Sequence, residues 1–137
     1  MKALAIRRYR APLEIMELPR PEPGPGELLV RVRAAGVNPV DYKIRDGAVK
    51  VLLPFSFPLT LGTDLAADVQ AIGPGVTGFE PGDAVYSRLD NDRIGAFAEY
   101  ALVRESAAAR KPASLDYVQA AALPLVGLTA WQTLIDL

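Results

Sequence analysis

The chain has 137 residues, half of them apolar, with 15 Lys and Arg against 16 Asp and Glu for a formal net charge of −1. That length suits one ordinary domain, and the charge balance lacks the basic excess selected by nucleic acid or an anionic membrane surface. With neither cysteine nor histidine, the sequence offers no disulfide, no thiolate nucleophile, no imidazole base and none of the usual zinc ligands, so no metal site is expected.

The N-terminus, MKALAIRRYR, has no long apolar stretch and no small-residue cleavage site, so it does not read as a signal peptide. No apolar run approaches the ~20 residues that span a bilayer, and the cytoplasm is the expected location. Lys2–Ile6 and Leu13–Leu18 read as short strands, and Arg7, Arg8 and Arg10 as a solvated strand-and-turn face. Pro19–Gly26 (PRPEPGPG) can neither pair centrally in a sheet nor coil, and is expected to be a loop. Glu27–Ala35 is the clearest strand, with Leu28, Val30, Val32 and Ala34 on one face and Arg31 and Arg33 on the other.

A short helix is expected over Asn38–Asp46. Asn38 suits the N-cap and Pro39 the first helical position; the charge of Asp41 favours that end, and Gly47 is a stop. Leu65–Ile72, Asp83–Arg88 and Ala96–Val103 complete the strands. In the last quarter, Ser114 is expected to cap a helix through Val118–Leu123, Pro124 to interrupt it, and Gly127–Leu137 to resume it. The sequence stops within this apolar helix, and that end reads as a cut or a domain boundary.

Gly73-Pro-Gly75-Val-Thr-Gly78 matches G-x-G-x-x-G and follows a strand. A dinucleotide fingerprint must also open a helix, whereas Pro81 and Gly82 follow here and a strand comes next. The segment reads as a connection between strands, and nothing else in the chain cradles phosphate. Asp90-Asn91-Asp92 lacks the length and ligand series of a calcium loop and reads as a turn.

Five stretches in order carry a resemblance: PEPGPGELLVRVRAAGVNPVDYKIRDG (Pro21–Gly47), LGTD (Leu61–Asp64), AIGPGVTGFEPGDAVY (Ala71–Tyr86), GAFAEYALV (Gly95–Val103) and AAALPLVGLTAWQTL (Ala120–Leu134). They resemble the N-terminal catalytic domain of the medium-chain dehydrogenase/reductase superfamily. The resemblance implies a mainly β fold, a GroES-like β-barrel with short helices and a helical C-terminal end, filling residues 1–137. The Rossmann cofactor domain would lie outside this sequence. Zinc enzymes of that superfamily carry a cysteine where this chain has Asn38, a His-Glu pair at Thr63-Asp64 and a further cysteine at about Leu125. Val40 stands where they keep a proton-relaying hydroxyl, and only Arg88–Ile94 occupies the place of their structural zinc lobe. The stretch GVNPVDYKIRDG is instead similar to zinc-free quinone oxidoreductases and enone reductases. Ala48-Val49 departs from relatives with an aromatic residue there, and Ala67 replaces a usual glycine.

The resemblance implies a reductase taking hydride from NADPH, or NADH, and giving it to a small quinone or an α,β-unsaturated carbonyl, without zinc. The cofactor would be bound mainly by the other domain. The candidate catalytic residues are Asn38, Lys43 and Tyr42; the candidate cofactor contacts are Asn38, Lys43 and Thr129. Asn38 is equally a helix cap, Lys43 a solvated helix lysine, Tyr42 a packing residue and Thr129 a capping residue. Asp41 is expected to serve the helix N-terminus, Asp64 to pair with an arginine, and Trp131 to lie in the core. No nucleic-acid or membrane partner is expected; a homo-oligomer is. The alternative reading is a stand-alone GroES-like module without enzymatic activity.

Overall fold

The computed structural model describes residues 1–136. In chain order the elements are β1 (Lys2–Ile6), β2 (Glu14–Glu17), β3 (Glu27–Gly36), α1 (Pro39–Arg45), β4 (Leu59–Thr60), β5 (Asp64–Ile72), β6 (Ala84–Arg88), β7 (Tyr100–Arg104), a 3₁₀ turn at Glu105–Ala107, β8 (Ala108–Arg110), α2 (Tyr117–Ala121) and α3 (Pro124–Leu134). The fold is mainly β, as the resemblance implied. Among the described residues the strands form two open sheets rather than one closed ring. One has the order β2-β1-β4 and the other β7-β3-β5-β6-β8.

The alternation read in β3 appears in its middle, from Arg31 to Ala34, whereas Glu27–Val30 are buried on both faces. Leu28 and Val30 are fully buried while Arg31 and Arg33 are exposed. They pack with Leu65, Val69, Val85 and Val103 into the main core, where each fully buried aliphatic side chain contributes about 1.5–3 kcal/mol of transfer free energy. A second cluster, Ile6, Ala11, Ile44, Leu59 and Leu61, seats α1 against the smaller sheet.

The strand expected over Ala96–Val103 begins only at Tyr100. The residues before it bond to other elements instead: Phe97 N–H donates to Leu61 O, Leu4 N–H to Phe97 O and Glu99 N–H to Lys2 O, at 2.7–3.0 Å. This segment stitches the two sheets together. The literal G-x-G-x-x-G segment is the connection between β5 and β6, as expected. A Cβ on Gly73 would stand 1.8 Å from the Gly24 carbonyl oxygen, so that glycine permits two backbones to meet. The N–H groups of Thr77 and Gly78 donate to Glu105 Oε1 at 3.0 and 2.6 Å, so a carboxylate of the chain itself occupies this loop.

Three expectations in the last quarter are corrected. The cap of α2 is Asp116, not Ser114: its Oδ1 accepts from Gln119 N–H at 2.8 Å and Gln119 Oε1 accepts from Asp116 N–H at 3.1 Å. This reciprocal box satisfies two donors where a lone serine would satisfy one. The helical stretch is interrupted before Pro124, but the second helix begins at Pro124 itself rather than at Gly127, with the proline at the first position, where its missing N–H costs nothing. Trp131 is 61% exposed rather than core, and Val126, Leu128 and Leu134 of α3 are exposed with it. Leu137, the end of the expected helix, lies outside the described residues. Asp90 and Asp92 are in a turn, where both pair with Arg104 at 2.7 Å.

Candidate functional site

Residues far apart in sequence meet where the start of α1, the start of β5 and the start of α3 converge. Asn38, in extended backbone with φ −125°, precedes α1. Its N–H donates to Asp41 Oδ2 at 2.7 Å, so Asp41 closes the first turn as expected of an acidic residue there. The Asn38 side chain turns toward β5. Its Nδ2 donates to Asp64 Oδ2 at 3.0 Å and makes a longer contact of 3.5 Å with Thr63 Oγ1. Asp64 Oδ2 also accepts from Leu125 N–H at 3.1 Å. One helical turn on, Thr129 Oγ1 donates to Leu125 O at 2.7 Å. A continuous hydrogen-bonded path therefore runs Asn38–Asp64–Leu125–Thr129.

The path is dry. Asn38, Asp41, Thr63 and Asp64 are all buried, Thr63 and Asp64 to 1% exposure. One oxygen of each aspartate, Asp41 Oδ1 and Asp64 Oδ1, has no hydrogen-bond partner. Burial pushes both carboxyls above the usual carboxylate range. For Asp41 the backbone N–H groups of Asn38 and Gly62 oppose the shift, while the nearby Asp64 adds to it. For Asp64 the bonds from Asn38 and Leu125 and the charge of Arg88 pull back against burial. The expected arginine partner of Asp64 is thus corrected: Arg88 acts only at a distance, and the direct donors are an amide and a backbone N–H. An amide satisfies an acceptor in a dry site without bringing a second charge that must itself be desolvated.

Tyr42 and Lys43 lie on the outer side of α1, both exposed, whereas Asp41 and Ile44 face inward. No hydrogen bond joins either of them to the buried path among the described residues. An open groove of about 910 Å³ runs beside α3, between it and β6 and β8. Of the candidate residues only Thr129 lines it, with Arg88, Leu125, Leu128, Trp131 and Gln132 among its neighbours. The structure therefore unites Asn38 and Thr129 through Asp64, and leaves Tyr42 and Lys43 on an adjoining solvent face. The part missed from sequence is the Leu125 N–H. Its signal was present in Pro124: a proline at the first helical position leaves the next N–H as the first donor needing a partner.

The domain thus has two open sheets, β3 and β5 pairing within the larger, with a short helix packed against the smaller and a helical end. Residues 24–113 match the alcohol dehydrogenase GroES-like domain, and the chain belongs to that family. It is 40% identical over 122 residues to a chloroplastic quinone-oxidoreductase homolog of Spinacia oleracea, covering 89% of this chain and 37% of that protein. An alcohol dehydrogenase superfamily protein from Novosphingobium aromaticivorans superposes with TM-score 0.92 at 40% identity, covering 99% of this chain and 42% of the other. Escherichia coli quinone oxidoreductase complexed with NADPH superposes with TM-score 0.88 at 31% identity, covering 98% and 40%. The chain thus spans about two fifths of the length of these relatives.

Proposed function

We propose that this domain forms the catalytic half of a reductase that uses NADPH, or NADH, to reduce a quinone or an α,β-unsaturated carbonyl without zinc. A Rossmann domain elsewhere in a longer protein would hold most of the cofactor. The observation that carries the reading is the cluster of Asn38, Thr63, Asp64 and Leu125. At the corresponding positions the zinc enzymes it resembles hold metal ligands. In this chain Asn38 Nδ2, Asp64 Oδ2, Thr63 Oγ1 and Leu125 N–H contact one another at 3.0–3.5 Å, and the four residues supply one carboxylate and no thiolate or imidazole. Zinc prefers several nitrogen or sulfur ligands, so Lewis-acid chemistry has little to stand on here.

The donor set fits the nicotinamide end of a dinucleotide. Lys43 carries three donors, and no ion pair engages them among the described residues. The Thr129 hydroxyl spends its proton on Leu125 O and keeps lone pairs to accept a ribose or carboxamide hydrogen. Asn38 is held rigidly by Asp64, so its orientation is set before anything binds. The phosphate end has no such reception, since the one glycine-rich loop opens no helix and encloses Glu105. When bound, the nicotinamide supplies hydride. Negative charge then grows on the substrate oxygen, and the Lys43 ammonium or the Tyr42 hydroxyl would stabilise or protonate it. The exposed apolar side chains of α3 support self-association or cover by a further part of the protein.

The test has two parts. NADPH and NADH titrated against this chain should not saturate below about 1 mM, roughly −4 kcal/mol of binding free energy. The longer protein should reduce a simple quinone or enone in a nicotinamide-dependent way. A micromolar dissociation constant for the isolated chain would overturn the division of the cofactor site. Absence of quinone and enone reduction by the longer protein would overturn the activity.

A further inference from the structure

We infer that Asp64 is a positioning residue that ties α1 to α3: one carboxylate oxygen fixes both the direction of the Asn38 amide and the N-terminus of the helix that carries Thr129. The inference rests on the reading of Asn38 and Thr129 given above; Asp64 itself need not touch cofactor or substrate.

Helix α3 has no cap of its own. Leu123 stands at the N-cap with helical dihedrals and offers no side-chain acceptor, and Pro124 has no N–H. Leu125 N–H is therefore the first donor that needs a partner. Asp64, 61 residues earlier at the start of β5, supplies it at 3.1 Å, and a carboxylate at a helix N-terminus is also favoured by the helix dipole. The second donor, Asn38 Nδ2, aims at the same oxygen from the start of α1. The other oxygen, Oδ1, is buried with no partner. Everything Asp64 holds thus converges on one atom, so a shift of either helix disturbs the bond of the other. Thr129 completes the arrangement by holding the Leu125 carbonyl, so that this residue is fixed at both N–H and C=O.

Three forms of the protein test this: wild type, Asp64→Asn and Asp64→Ala. An asparagine oxygen can replace Oδ2 and keep both bonds, whereas alanine keeps neither. Amide hydrogen exchange by NMR on this chain should show Leu125 protected at least about tenfold over an unbonded N-terminal helix amide. That protection should survive Asp64→Asn within about threefold and be lost in Asp64→Ala, with the Asn38 side-chain amide resonances moving only in the alanine variant. If Asp64→Ala does not fold, the wild type still decides: Leu125 must be protected and show a coupling across its hydrogen bond to the Asp64 carboxylate. Free exchange at Leu125 in the wild type, or equal protection in a folded Asp64→Ala, overturns the inference. In the full-length protein, Asp64→Ala should lower kcat/KM for nicotinamide-dependent quinone reduction about tenfold, and Asp64→Asn should recover most of it. Altered exchange with unaltered turnover would reduce Asp64 to a purely structural cap and overturn its positioning role. A wild-type protein without reductase activity would instead sink the proposed function and leave the exchange result standing.

Discussion

Replacing Asn38 by alanine separates two accounts of that residue. A cap alone would be worth about 1 kcal/mol. In the structure, however, the side chain is buried and donates to a carboxylate at 3.0 Å. Removing a hydrogen bond to a charged acceptor costs about 1.5–3 kcal/mol, because the acceptor stays buried and loses a partner. Asp64 would keep only the Leu125 N–H, with Oδ1 already unpartnered. We therefore expect a loss of about 2 kcal/mol, which lowers Tm by roughly 4–10 °C for a chain of this size. The loss also has a sign in pH. Burial already lifts the Asp64 carboxyl, and Asn38 is the largest group pulling it back. Without Asn38 it rises further. A folded-state value above the unfolded one means that the native state binds the proton more readily. Its contribution is present at low pH and lost as pH rises through that raised value. Urea melts of wild type and Asn38→Ala should therefore show a larger difference near pH 8 than near pH 5, at unchanged m. A loss below about 0.5 kcal/mol, or a larger loss in acid, would refute the reasoning.

Gly73→Ala, whose Cβ would meet the Gly24 carbonyl at 1.8 Å, should cost about 3 kcal/mol or more. Gly75→Ala, with φ +82° but open space around it, should cost only about 1–2 kcal/mol; equal thermal shifts for the two would contradict this. Asp41→Asn should flatten the dependence of stability on pH between the ordinary carboxylate range and neutrality, since a buried carboxyl raised above its usual value weakens the fold as pH climbs through that window. An unchanged slope in denaturant melts would count against it. Elemental analysis of dialysed, untagged protein should find no stoichiometric zinc, and about one zinc per chain would be the contrary result.

Much of the fold was legible wherever a local pattern and its tertiary partner agree. β3 announces itself because alternate residues face one core. α1 does so because Asn38, Pro39 and Asp41 are each suited to their own place in its first turn. The G-x-G-x-x-G match was separable from a cofactor loop because the residues after it cannot start a helix. Where two local signals compete, sequence decides poorly. Ser114 and Asp116 are both capping residues, and only the reciprocal bonds with Gln119 select Asp116. Pro124 can end one helix or begin the next, and the choice lies with the acceptor that awaits Leu125. Trp131 looks like core by composition, yet core membership requires a neighbouring surface, and at 61% exposure none covers it among the described residues.

Sequence alone thus determined what chemistry is available. No imidazole and no thiolate exist anywhere in the 137 residues, whatever the fold. It also determined the strands and turns whose signals are local, because backbone propensity and side-chain alternation act over a few residues. Tertiary structure decided which polar groups face each other. Asp64 lies 26 residues from Asn38 and 61 from Leu125. No local rule selects an amide and a backbone N–H over the arginine that its charge suggests. That selection follows from the packing of α1 and α3 against the start of β5, which leaves one dry acceptor between two donors and room for little else.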